Sequence, residues 1–186
     1  AATSIPAALF ETARRHADRP AHFVKQDGAW RPTSWRAYAD EIRAVARGLV
    51  ALGFAPGDVA TMLGFNRPEW VIMDLAAMVA GGAAAGIYTT CSAEEVAYIV
   101  DHSEAKVVLV ENQHQLDKVL AMRDRLPRLQ TIVTMKAAGK LAGALSWDEL
   151  LAKAAEVDDR VIDERVAALA PGGLSTLVYT SGTTGP

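Results

Sequence analysis

Four hydroxyl side chains occupy five consecutive positions in the segment Thr180-Ser181-Gly182-Thr183-Thr184-Gly185-Pro186. Its two glycines let the backbone turn several N–H groups toward one point, and Thr180, Ser181, Thr183 and Thr184 can donate hydrogen bonds to an anion held there. Such a loop suits a polyphosphate. It is not a Walker A loop, because the four-residue gap between glycines and the Gly-Lys-Ser/Thr ending are absent. A polar turn after a buried strand accounts for the glycines as well, though not for the density of hydroxyls. The residues by themselves leave both readings open.

Other reactive side chains are scattered. His16, His22, His102 and His114 lack the spacing of a helical metal site and read as surface or helix-end residues. Cys91 precedes Ser92 at a predicted helix start, a position that lowers a thiol pKa, but it reads first as a small buried side chain. Asp101-His102-Ser103 contains the residue types of a hydrolytic triad, yet neighbours on a helix point in different directions and cannot form that relay. Arg67 and Trp70 read as a helix-start arginine and a core tryptophan that could also line a site.

The elements that must position the loop follow an α/β rhythm. Residues 9–16 predict a short helix, and residues 22–30 a hairpin turning at Asp27-Gly28. Trp35, Tyr38, Ile42, Val45, Leu49 and Leu52 recur at helical spacing behind Thr33 or Ser34 as cap, with Gly53 as a left-handed stop. Strands are predicted over 59–63, 83–88, 106–110 and 131–135. Asn66 is the expected cap of a helix opening with Pro68 and Glu69, and Ser92 with Glu95 forms a capping box. Further helices are expected over 116–122, 147–155 and 159–169. A last apolar run over 174–179 feeds the hydroxyl-rich loop. The expected fold class is α/β, with alternating helices and mostly parallel strands.

Composition narrows the function. Nineteen Lys and Arg against twenty-two Asp and Glu give a net charge of −3, without the basic field a nucleic-acid partner requires. One cysteine rules out an internal disulfide and fits a reducing compartment, so cytoplasm is the expected location. No leader is readable at the start, and the apolar stretch 71–87 carries Asp74 and three glycines and falls short of the ~20 residues of a membrane span. It predicts a buried helix running into a buried strand.

The segment Leu177-Val178-Tyr179-Thr180-Ser181-Gly182-Thr183-Thr184-Gly185-Pro186 resembles the phosphate loop of the AMP-forming acyl-adenylate superfamily, Tyr-Thr-Ser-Gly-Thr-Thr-Gly-x-Pro-Lys-Gly. Ser34-Trp35-Arg36-Ala37-Tyr38, the turn 53–58 and Asn66-Arg67-Pro68-Glu69-Trp70 extend the resemblance upstream, and Gly86-Ile87-Tyr88-Thr89-Thr90 is most similar to long-chain fatty acid–CoA ligases. Pro171-Gly172-Gly173-Leu174 departs from the acidic residues common at that place. The resemblance implies a fold and a two-step reaction: a fatty acid carboxylate attacks ATP to give acyl-AMP and pyrophosphate, then the thiol of coenzyme A displaces AMP. It implies that Thr180, Ser181, Gly182, Thr183, Thr184 and Gly185 bind the phosphates, and that Thr180 contacts Mg²⁺.

It further implies that residues 1–186 are the amino-terminal part of the adenylate-forming domain, ending inside the loop 179–186, and that this part alone is inactive. The closing lysine, the adenine and ribose motifs, the magnesium glutamate and the late catalytic lysine of the family have no counterpart here, so no catalytic residue is assigned. An adenylation domain serving another acceptor and a non-catalytic α/β binding module are the rival expectations. Peripheral contact at the inner membrane face and homo-oligomerisation are compatible with the family.

Overall fold

A computed structural model describes residues 4–180. The chain opens with helix α1 (Ile5–Arg15), which starts four residues earlier than its apolar pattern suggests, because the Ser4 hydroxyl accepts the Ala7 N–H at 3.2 Å and Pro6 suits a first turn. Strands β1 (Pro20–Gln26) and β2 (Ala29–Ser34) form the expected antiparallel hairpin. Asp27 and Gly28 both take positive φ, 49° and 79°, as a two-residue turn matched to strand twist requires.

Helix α2 (Trp35–Ala51) is capped by Ser34 and buries Ile42, Val45 and Leu49 completely, each such side chain contributing about 1.5–3 kcal/mol. Gly53 ends it at φ 85°. The remaining strands are β3 (Val59–Leu63), β4 (Ala83–Ile87), β5 (Ala105–Val110), β6 (Thr131–Thr134), β7 (Leu145–Ser146) and β8 (Thr176–Leu177). They pair in parallel in the order β7-β6-β5-β3-β4-β8. The helices that connect them are α3 (Pro68–Val79), α4 (Ala93–His102), α5 (Gln113–Ala121), α6 (Trp147–Lys153) and α7 (Asp159–Ala167).

Both faces of the sheet are covered, which is why β3 to β5 read as nearly continuous apolar runs. Ala60, Met62, Val107, Leu109 and Val133 point into one core with α2, α3, α6 and α7. Val59, Leu63, Val108, Val110 and Ile132 point into a second core with α4 and α5. Residues 71–87 form the end of α3 and β4 as expected, and no helix among the described residues is long and apolar enough to cross a membrane.

The structure corrects three local expectations. Arg67, rather than Asn66, is the N-cap residue of α3; its guanidinium has no acceptor and so cannot cap the free N–H groups, and it donates to Glu111 instead. The apolar run 174–179 yields a strand of only two residues, since the register with β4 ends at Leu177. Strand β7 has no apolar run to announce it: its two residues pair with Val133 and Thr134 just before Ser146 caps α6.

Candidate functional site

From β3 the chain crosses to β4 through α3 on one face of the sheet, and from β4 it crosses to β5 through α4 on the other. The loops leaving the carboxyl ends of β3 and β4 therefore part company, and a crevice opens between them. It lies outside the carboxyl ends of the parallel strands, the side of an α/β sheet on which ligands bind. A cleft of about 460 Å³ occupies it, with Gly64–Asn66 and Trp70 on one side, Gly86–Thr89 on another and Thr176–Tyr179 closing the third. Phe65, Tyr88 and Val178 are all exposed at this rim.

Each wall is held by side chains reaching across the sheet. Glu111, buried at the end of β5, accepts the Phe65 N–H and the Arg67 Nε–H, both at 2.9 Å, and so fixes the first turn of the β3–α3 loop. Buried Glu69 accepts the Lys136 N–H at 3.1 Å, joining the start of α3 to the end of β6. On the β4 side, Lys118 of α5 donates to the carbonyls of Thr89 and Cys91 at 2.8 and 2.7 Å. Gly86 lets Trp70 lie against the floor, because a Cβ there would stand 2.9 Å from the indole Cζ2. Trp70 is thus a half-buried cleft wall as well as a partner of the core.

Of the six candidate phosphate-binding residues, Thr180 is described: it is exposed and directly follows Tyr179, which lines the cleft. Ser181, Gly182, Thr183, Thr184 and Gly185 lie outside the described residues. Among the described residues, no cluster of three or more His, Cys, Asp or Glu side chains converges as a metal site.

The scattered residues find individual explanations. His16 ends α1, and His22 packs edge-on to Tyr38 at 5.0 Å. His102 neither meets the side chains of Asp101 or Ser103 in a relay nor stands alone: its Nδ1 lies 2.9 Å from the Tyr179 hydroxyl. Cys91 is half-buried rather than buried, and its thiol pKa is raised, first by burial and then by the nearby Glu95 charge, against the lowering expected at a helix start. Sequence spacing missed Glu111, Lys118 and the His102–Tyr179 pair, since their partners are 27 to 77 residues away and follow no local period. The one available signal was an isolated Glu at the end of an apolar strand.

The family model for AMP-binding enzymes matches residues 9–186. The long-chain fatty acid–CoA ligase ACSBG2 of Xenopus laevis is 38% identical over 177 residues, which cover 94% of this chain and 24% of that protein. The long-chain fatty acid–CoA ligase ACSBG1 of Homo sapiens is 34% identical over 179 residues, covering 95% of this chain and 25% of that protein. Among solved structures, the anthranilate CoA ligase AuaEII in complex with anthranoyl-AMP superposes with a TM-score of 0.72 at 25% identity, over 97% of this chain and 32% of that one. The chain spans about a quarter of the length of these curated relatives.

Proposed function

The chain belongs to the AMP-binding enzyme family, and from that premise we propose that it forms the amino-terminal part of the adenylate-forming domain of an ATP-dependent long-chain fatty acid–CoA ligase. The observation that carries this reading is the position of the cleft: the strand leading into the hydroxyl-rich loop ends on a crevice at the carboxyl ends of the parallel strands β3 and β4. The two curated relatives supply the substrate class, a long-chain fatty acid and coenzyme A. The adenylate named with AuaEII supports an acyl-AMP intermediate.

On this reading, the carboxylate attacks the α-phosphate of ATP, pyrophosphate leaves, and the coenzyme A thiol then displaces AMP. The loop acts on the leaving group. Backbone N–H groups and the hydroxyls of Ser181, Thr183 and Thr184 stabilise negative charge as it builds on the β- and γ-phosphates, a role in which one preorganised donor is worth a factor of about 10²–10³. Gly182 and Gly185 allow the backbone to come close to the phosphates. The exposed Thr180 offers the oxygen donor that a hard cation accepts and would help hold Mg²⁺, which neutralises phosphate charge when bound. The cytoplasm, with peripheral contact at a membrane face, is the setting that fits a soluble nucleotide and a lipid substrate.

The test is exchange of pyrophosphate into ATP by the full-length protein that carries this chain. Exchange is expected to depend on added acid and to be strongest with long-chain fatty acids, and Thr183→Ala is expected to slow it by a factor on the order of 10². Exchange with amino acids alone, or an unchanged rate in Thr183→Ala, defeats the reading.

A further inference from the structure

Tyr98 and His102 stand four residues apart on one face of α4 and stack, their ring centroids 5.5 Å apart and their planes inclined by 26°. Tyr179 meets this shelf from the sheet edge. Its ring lies edge-on to the imidazole at 5.7 Å and 86°, and its hydroxyl is 2.9 Å from His102 Nδ1. Two neutral partners can make this bond with the phenol O–H donating to Nδ1 when the ring proton sits on Nε2, or with Nδ1–H donating to the phenol oxygen.

The location gives the contact its meaning. Strand β8 is held to β4 through the pairs Ala84–Thr176 and Ala85–Leu177, and the register stops there. The direction in which residues 178–180 leave the sheet is therefore left to side chains. Val178 and Thr180 are exposed, whereas Tyr179 is half-buried against the α4–α5 core. Tyr179 is the anchor of this exit, and burial raises its phenol pKa above the ordinary value.

We propose that His102, seated on Tyr98, is a positioning residue for the phosphate loop: by its hydrogen bond to Tyr179 it fixes where Thr180 leaves the sheet. It touches no substrate. It acts on how well the loop is aimed at the nucleotide, and this inference rests on the ligase reading above.

The experiment is steady-state pyrophosphate exchange by the full-length protein with a long-chain fatty acid, comparing wild type, His102→Ala, His102→Asn, Tyr179→Phe and the double variant His102→Ala/Tyr179→Phe. Loss of one neutral hydrogen bond predicts a three- to tenfold fall in kcat/KM for ATP in His102→Ala, with KM for the fatty acid unchanged and the melting temperature lowered by no more than about 2–4 °C. Asn places a polar atom near the Nδ1 position, so His102→Asn is expected to recover most of the loss. Tyr179→Phe keeps the buried ring and is expected to lose as much as His102→Ala, and the double variant no more than either alone.

Wild-type kcat/KM for ATP in His102→Ala overturns the inference. So does a His102→Asn variant as impaired as His102→Ala, or additive losses in the double variant. A larger fall in melting temperature with equal damage to both substrates would assign His102 a merely structural part and also overturn it. A wild-type protein without acid-dependent exchange would overturn the ligase reading itself, a result distinct from an active enzyme indifferent to His102.

Discussion

Replacing Glu111 by Ala removes the carboxylate that holds the β3–α3 loop along the cleft. The two bonds it accepts are of unequal worth. Arg67 is 45% exposed at its side chain, so solvent screens the ion pair to about 0.5 kcal/mol. The Phe65 N–H donates to an ionised acceptor that is 9% exposed, a bond worth about 2 kcal/mol, and the lost methylene adds about 0.8 kcal/mol. Relief of the buried charge returns part of this sum. A net loss of about 2 kcal/mol is expected, which for a chain of 186 residues lowers the melting temperature by roughly 4–8 °C. Glu111→Gln should recover little, because its amide must turn N–H groups toward one of two donors. The assay is a thermal melt by circular dichroism, with Arg67→Ala and the double variant completing a cycle whose coupling is about 0.5 kcal/mol. A Glu111→Ala melt within about 1 °C of wild type would show that the loop is held by something else. An Arg67→Ala loss as large as that of Glu111→Ala would refute the ranking of the two bonds.

Gly82→Ala would put a Cβ 2.2 Å from the Asp58 carbonyl and 2.6 Å from Phe54 Cε1, so a loss of about 3 kcal/mol or failure to fold is expected, read from the urea midpoint and soluble yield. Arg165 donates to the carbonyls of Phe54 and Ala80, beyond the ends of α2 and α3, and Arg165→Ala should cost about 1–2 kcal/mol with Arg165→Lys recovering part. A neutral melt unchanged in Arg165→Ala would refute that role. Burial raises the Asp74 carboxyl pKa, so the native state binds this proton more tightly than the unfolded chain and loses stability as pH rises through the native pKa. Asp74→Asn should therefore stabilise the protein at neutral pH, with the gain vanishing in acid. The Tyr38 phenol, pushed up to about 12 by burial and then by the Asp74 charge, should titrate lower in the same variant.

Features governed by neighbours in sequence could be read before the structure, and those governed by distant partners could not. The Asp27-Gly28 hairpin, the Ser34 cap and Gly53 stop of α2, and the Ser92–Glu95 capping box depend on backbone groups within a few residues, so composition and spacing announce them. The fold class followed from the alternation of such elements. The cap of α3 was misread because Asn66 has the better capping chemistry, while the position of Arg67 is decided by Glu111, 44 residues later. Cys91, read first as a small buried side chain, is half-buried, and burial followed by the Glu95 charge outweighs the helix start in setting its thiol pKa. The hydroxyl-rich loop was visible as a motif, but the cleft beside it depends on strand order, and strand order has no local signature.

Strand β8 pairs with the edge of β4 about 90 residues after β4 itself has been made. During synthesis at about 5–20 residues per second, roughly 5–18 s pass between the two on the ribosome. Throughout that interval the backbone of Ala84 and Ala85 offers an unpaired parallel edge to any extended segment, and the tripeptide Ala83-Ala84-Ala85 has no bulky or charged side chain to repel one. Strands β5 to β7 meanwhile add to the opposite side of the sheet. The nascent protein thus carries its most vulnerable edge beside the very crevice that Thr176 and Leu177 will close, and the last strand to emerge among the described residues acts as the seal on that edge as well as the lead into the loop.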